Sequence, residues 1–364
     1  MNKLIKNIKE FLIRIGNAIK TFFWNLRRIT NNGKRAIGNF LDKHHINPAG
    51  KFPGWAKALL YLSPALIVLA IFTFYPIINA FALVVYENYN MSDNTITGYT
   101  IFGNFITVIN DGSFIFPSSH TASTALINTL RVVFISVPIS IFLALGISVA
   151  LNSIKPLKGF FQTIYFLPYV TNTIAIGLVF AYMFRTEGGL VNEFLGIFGL
   201  DRDANGNLLS WVEQNSVYNR SMFVLIFYSI WASLAFKIMV FLTSIQGIDK
   251  QYYQAAAIDA TPRGRIFSKI TVPLISPMIF YITVTSVIGA FKIYNVIVAL
   301  FGVNGTPPGA QYNLQSIVMY IYTYIDKGTP GSLSQAAAGS LILFAIILVL
   351  TIVQMQVSKK RVHY

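Results

Sequence analysis

Cysteine is absent from the 364-residue chain, so neither disulfides nor thiol chemistry is available to it. Charge is scarce too. Only 11% of the residues are Asp, Glu, Lys or Arg, against roughly 25% in an ordinary soluble domain. With 54% hydrophobic residues and a mean hydropathy of +0.59, that scarcity reads as a membrane protein. Histidine is confined to His44, His45, His120 and His363, and the His44–His45 pair reads as part of a polar linker. Metal-ligand spacing of the His-Glu-x-x-His kind is missing. The glycine-rich phosphate loop ending in Gly-Lys-Ser/Thr is missing as well, so the chain does not bind ATP by that route. No grouping of Ser, His and Asp carries hydrolase logic. The sequence therefore predicts no metal, no cofactor and no catalytic residue in this chain. A cleavable signal peptide is not evident, because the basic start is not followed at once by a short apolar core and a small-residue cleavage site.

What is present is a series of long apolar runs. A bilayer core needs about 20 apolar residues per helix. Residues 58–85, 130–151, 160–184, 222–242, 273–300 and 336–357 meet that length, so six transmembrane helices are expected. None has an acidic residue in its interior, and the clear intramembrane charges are Lys237 and Lys292. Ion-driven transporters commonly place ionisable groups in their spans. Their absence makes a stand-alone secondary transporter the alternative rather than the first reading, although sodium sites built from backbone carbonyls stay open. Prolines 64, 76, 138, 168 and 277 lie inside these runs and suit kinked helices around a cavity.

The net charge of +15 would point to nucleic acid in a soluble protein, but its placement points to topology. Lysines and arginines crowd the segment before the first run, from Lys3 to Lys57, opposed by Glu10 and Asp42 alone. They recur as Lys155 and Lys158, as Lys250, Arg263, Arg265 and Lys269, and as Lys359, Lys360 and Arg361. The alternate connections carry Glu87, Asp93 and Asp111, then Glu187, Glu193, Asp201, Asp203 and Glu213. Both termini are thus expected in the cytoplasm of a multi-pass protein of the cell membrane. Leu4, Ile8, Phe11, Ile15, Ile19, Phe22 and Leu26 recur at helical spacing with basic residues between them, which predicts an interfacial amphipathic helix. The expected organisation is a basic N-terminal region and linker (1–57), a six-helix transmembrane domain (58–357) and a basic tail (358–364).

The stretch QYYQAAAIDATPRGRIFSKITVPLISP, residues 251–277, breaks the apolar pattern. Its alanines favour a short helix, Thr261-Pro262-Arg263-Gly264 ends it, and Ile266, Phe267 and Ile270 begin a second apolar stripe. Small Ala255, Ala256 and Ala260 would let another surface approach closely. This stretch resembles the cytoplasmic EAA signature of bacterial ABC importer permeases, Glu-Ala-Ala-x3-Gly-x9-Ile-x-Leu/Val-Pro. Gln254, Ala255, Ala256, Ala260, Ile270 and Pro273 occupy its positions, with Ile258-Asp259 as in sugar permeases. Gln254 replaces the glutamate, so a neutral hydrogen bond replaces a salt bridge to the ATPase. Ala260 replaces the glycine, which predicts a helical rather than left-handed backbone there. Leu62-Ser-Pro-Ala65, Tyr75-Pro76, Asn128-Thr129, Phe166-Leu167-Pro168, Gly189-Leu-Val-Asn192 and Trp231 stand in the family's order, so the resemblance spans about 300 residues. It is closest to the maltose-type first permease of the carbohydrate-uptake group, which also serves glycerol-phosphate importers.

The resemblance implies an all-α membrane protein with a coupling loop at 250–273, made of Gln254, Ala255, Ala256, Asp259, Ala260, Arg263, Gly264, Ile270 and Pro273. It also implies a second permease subunit as heterodimer partner, two ABC ATPase domains that hold the ATP and Mg, and an extracellular solute-binding protein. The solute would be a carbohydrate, with an oligosaccharide expected first and glycerol-phosphate or another polar solute as the alternative. Positions matching the sugar contacts of the maltose-type relative are Ser233 and Ser286. Two asparagine positions of that relative are Ala290 and Ile293 here, and Lys292, Tyr294 and Asn295 follow them at once. Tyr169 and Asn172, beside Pro168, complete the expected pathway. At Lys292 an anion site competes with a sugar contact.

Overall fold

In hydrocarbon every backbone N–H and C=O must be paired within the segment, so apolar runs become helices. The computed structural model describes residues 54–115, 124–154, 158–310 and 312–359, together with Arg28 and Arg35. The expected amphipathic helix of residues 1–30, His44, His45, His120, Lys155 and the tail after Lys359 lie outside the described residues. Helices dominate. The only strands among the described residues are Tyr86–Glu87 and Gly98–Tyr99, paired antiparallel.

Among the described residues four helices are long and apolar enough to cross a bilayer: Ala58–Val85, Ala125–Ser153, Tyr218–Gln246 and Ser332–Lys359. Arg263–Leu274 and Ser276–Phe291 make a fifth if counted as one span bent by 67°. Two of the expected spans are therefore interrupted. Residues 160–184 form helices Lys158–Val170 and Thr173–Met183, because the Asn172 side chain accepts the N–H groups of Ile174 and Ala175 and starts a new helix. Residues 273–300 break at Ile275 and again at Lys292–Tyr294, before helix Asn295–Phe301. Interrupted helices at membrane depth are tolerated where they line a cavity.

The chain divides into two units, Met1–Ile77 and Ile78–Tyr364. In the first, helix Gly54–Leu69 widens into a π-turn at Ala70–Phe74, where the Tyr75 N–H reaches back to the Ala70 carbonyl. The next residue is Pro76, whose ring would collide with the carbonyl four residues before it, and the wider turn relieves that collision. The second unit repeats the device. Phe267–Thr271 is a π-turn in which Val272 N–H reaches the Phe267 carbonyl just before Pro273.

Within the second unit, helices Ala125–Ser153 and Tyr218–Gln246 pack along their length. Ser136, Ser140, Ala144 and Ser148 recur every four residues on the buried face of the former. Such small-residue stripes let membrane helices approach closely. Ser148 Oγ donates to the Ile238 carbonyl at 2.9 Å across this contact. At one end of the bundle Asn128, 1% exposed, ties three elements together: its Nδ2 donates to the Asn313 and Gln315 carbonyls, and its Oδ1 accepts from Tyr218. Thr129 Oγ1 receives the Ile317 N–H at 3.1 Å.

Helix Ile317–Asp326 is held by a carboxylate. Asp111 Oδ1 accepts the Ser113 N–H and hydroxyl, and Oδ2 accepts Tyr320 and Tyr324. Burial pushes the Asp111 carboxyl up. The hydrogen bonds from Tyr324, Ser113 and Tyr320 outweigh it and hold the group below its ordinary range. A depressed folded-state value contributes stability that is complete above the unfolded value, about 4, and is lost as pH falls through the folded one. Thermal unfolding of the detergent-solubilised protein should therefore weaken below about pH 4 through this group. Asp111→Asn, which replaces one acceptor oxygen by a donor, should cost about 2 kcal/mol at pH 7 and remove that group's share of the acid dependence. An Asp111→Asn protein with the parent's melting temperature and acid profile would refute the assignment.

Candidate functional site

The interruptions of the helices build a cavity. It has a volume of about 500 Å³, and its wall is drawn from helices Ala125–Ser153, Lys158–Val170, Thr173–Met183, Tyr218–Gln246, Ser276–Phe291 and Asn295–Phe301 and from the break that follows Phe291. That break sets Lys292 and Tyr294 in the wall, with Asn295 following at the start of the next helix. Six of the seven pathway residues expected from the sequence line this one space: Tyr169, Ser233, Ser286, Lys292, Tyr294 and Asn295. Asn172 does not line it, because its carboxamide oxygen is spent on the cap of helix Thr173–Met183.

Aromatic faces frame the cavity. The Tyr169 ring stacks on Phe236 with centroids 5.8 Å apart, and Tyr294 stacks on Tyr322 at 4.6 Å. Among the described residues the side chains of Ser286, Lys292 and Asn295 make no hydrogen bond within the chain, which leaves their donors and acceptors for a solute. The Ser233 hydroxyl instead donates to the Ile230 carbonyl at 2.9 Å and accepts from Lys237 at 3.1 Å. An apolar wall with a few convergent polar groups and two aromatic faces is the usual make-up of a small-molecule site. Ser136, Thr173, Ser229 and Thr285 also line it and were not named from the sequence, and Lys237, singled out there as an intramembrane charge, lines it as well. The signal for Ser136 was present in the four-residue spacing with Ser140, Ala144 and Ser148. The signal for Lys237 was its charge in an apolar run.

The second candidate element is the loop after helix Tyr218–Gln246. Asp249 caps helix Lys250–Ile258 by accepting the Gln251 N–H at 2.9 Å. The helix ends with Thr261 N–H on the Ala256 carbonyl and Ala260 N–H on the Ala257 carbonyl, the paired bonds of a Schellman turn. That turn requires a left-handed residue, and Ala260 supplies it with φ +48°. The expectation of a helical backbone at Ala260 is thus corrected: the turn geometry persists without glycine, at a cost of about 1–2 kcal/mol. A second correction concerns the alanines. Ala256 is 5% exposed and faces into the chain, whereas Gln254, Ala255, Asp259 and Ala260 are exposed and Ile258 is 85% exposed. Arg263 and Gly264 begin helix Arg263–Ile266 and are exposed, while Ile270 and Pro273 are partly buried around the π-turn.

Residues 136–363 match the family described as binding-protein-dependent transport system inner membrane component. A probable ABC transporter permease protein of Mycoplasma genitalium is 29% identical, over 84% of this chain and 89% of the relative. The lactose transport system permease protein LacF of Rhizobium radiobacter is also 29% identical, over 85% of this chain and 94% of that protein. The sn-glycerol-3-phosphate transport system permease protein UgpA of Shigella flexneri is 29% identical over 85% and 96%. Among solved structures, a bacterial ABC transporter involved in the import of the acidic polysaccharide alginate shares the fold. Its TM-score is 0.66 at 22% identity, over 84% of this chain and 96% of that one. With the matched region covering most of its membrane helices, this chain belongs to the inner-membrane components of binding-protein-dependent transport systems.

Proposed function

We propose that this chain is the permease subunit of an ATP-driven importer, forming the path of a carbohydrate and coupling it to ATPase subunits that it does not encode. One observation carries the reading: a cavity with aromatic faces and unpaired Ser286, Lys292 and Asn295 lies in the same bundle as an exposed, capped helix bearing the EAA-type positions. Relatives named for lactose and for glycerol-phosphate transport, and a fold neighbour named for alginate import, support a carbohydrate or related polyol as solute. Counting each interrupted segment as one crossing gives six spans. The placement of Lys and Arg then puts both termini and the 250–273 loop in the cytoplasm.

The remaining assignments follow from that frame. A second permease completes the pathway, two ABC ATPase domains hold ATP and Mg beneath it, and a solute-binding protein delivers from outside. The work of this chain is to expose the cavity to one side or the other, so it acts as conduit and lever rather than as a catalyst. Purification of the chain from its native membrane, followed by ATP-hydrolysis measurements over a panel of sugars and polyol phosphates, tests the reading. An associated ATPase stimulated by one of these solutes in the presence of the binding protein is the expected result. Uptake driven by an ion gradient in vesicles holding this chain alone would overturn it.

A further inference from the structure

Among the described residues, every charge on the cavity wall is positive. Lys237 and Lys292 both line it, and no Asp or Glu does. Ion pairs among the described residues are confined to Arg185–Glu213 and Arg202–Asp201, neither of which reaches this space.

Lys237 is the more telling of the two. It is 4% exposed and sits near the middle of helix Tyr218–Gln246. Its ammonium donates to Ser140 Oγ on the neighbouring helix and to Ser233 Oγ one turn back. Both hydroxyls give their own protons to helix carbonyls, Ser140 to Val137 and Ser233 to Ile230, each at 2.9 Å. Their lone pairs are thereby turned on the ammonium and hold it in place. Two neutral acceptors satisfy two of the three N–H donors of an ammonium and none of its charge. A charge within a span is retained where it meets a partner or a water-lined path. A neutral hydrogen-bonding side chain would bridge the two helices equally well, so the bridge does not account for the lysine. Among the described residues no carboxylate faces this ammonium.

We infer that the solute of this pathway is anionic, bearing a carboxylate or a phosphate on a sugar or polyol, and that Lys237, with Lys292 on the wall of the same cavity, selects for it. The inference rests on the carbohydrate-pathway reading and narrows it to one charge class. Ser140 and Ser233 are positioning residues, acting through the ammonium they hold. Specificity built on a desolvated charge is steep, because the wrong solute leaves the ammonium without its counter-ion.

The test uses the complete complex, with its ATPase and binding protein, in sealed vesicles. ATP-driven uptake is measured for two matched pairs: a galacturonate trisaccharide against its neutral galactose counterpart, and glycerol 3-phosphate against glycerol. The expected result is uptake of the anionic member of one pair, which also tells carboxylate from phosphate. Lys237→Met should raise its half-saturating concentration about 10- to 100-fold, and Lys237→Arg should retain much of the affinity. Co-purification of the ATPase with each variant shows that assembly is intact. Preferred uptake of a neutral member, unchanged in Lys237→Met, would overturn the charge assignment while leaving the carbohydrate reading in place. ATP-driven uptake of an unrelated solute class in place of both pairs would overturn the carbohydrate reading itself, and this inference with it.

Discussion

Ile258→Asp is expected to detach the ATPase from this chain while the chain itself stays folded. Ile258 closes helix Lys250–Ile258 and is 85% exposed, a large apolar side chain left uncovered on the element proposed above to dock the ATPase. Burying such a side chain against a partner is worth about 1.5–3 kcal/mol. A carboxylate in its place loses that term, repeats the charge of neighbouring Asp259, and must be desolvated without a counter-ion. A weakening of about 3 kcal/mol or more, roughly 100-fold in affinity, follows. Because little of the chain's own packing involves this residue, the thermal unfolding of the permease should stay close to that of the parent. Pull-down of the ATPase and solute-stimulated ATP hydrolysis read the effect. An Ile258→Asp complex that keeps its ATPase and its turnover would show that another surface does the docking. The equivalent experiment at Ala256 cannot discriminate, because a bulky residue there collides with the chain itself.

The alanine positions show how the sequence both revealed and hid this loop. The resemblance to the EAA signature placed Gln254, Ala255, Ala256, Ala260, Ile270 and Pro273, and the helix that forms there is capped at both ends by local chemistry, Asp249 before it and the Schellman turn after it. Which alanine faces inward was not legible, since small residues carry no amphipathic signal and the helix is only nine residues long. The backbone of Ala260 was misjudged for a related reason. Propensity argues against a left-handed alanine, but the 6→1 and 5→2 bonds of the turn, with Pro262 two residues on, impose it.

The cavity was legible in its residues and not in its construction. Apolar length located the runs at 160–184 and 273–300, yet hydropathy is blind to a break that keeps its neighbours apolar. Asn172 interrupts one run through its cap, and the turn at Lys292–Tyr294 interrupts the other. These breaks place Tyr294 and Asn295 in the wall and remove Asn172 from it. Lys237 stood out as a charge in a span, but its link to Ser140, 97 residues earlier, exists only in the packed bundle.

Close approach of two short helices sets one edge of that cavity, and Gly177→Ala should spoil it. A Cβ on Gly177 would lie 2.3 Å from the Ala299 Cβ and 3.4 Å from Tyr228 Cε1. Ordinary carbon contacts need about 3.5–4.0 Å, so helix Thr173–Met183 and helix Asn295–Phe301 would have to part by more than about 1 Å. Overpacking of this kind costs about 1–3 kcal/mol, and a larger side chain costs more. The displaced helix begins at Asn295, directly after Tyr294, so the loss appears in solute affinity as well as in melting temperature. Moving the methyl group tests the cause. Ala299→Gly alone removes a buried methyl and adds helix flexibility, so it should destabilise by about 1 kcal/mol. Combined with Gly177→Ala it restores the missing space, and the double variant should be more stable than the sum of the singles by about 1–2 kcal/mol. Thermal unfolding of the four proteins, with uptake measured alongside, gives that coupling directly. Strict additivity would mean that the two helices do not meet through these residues, and the wall bearing Asn295 would need another support.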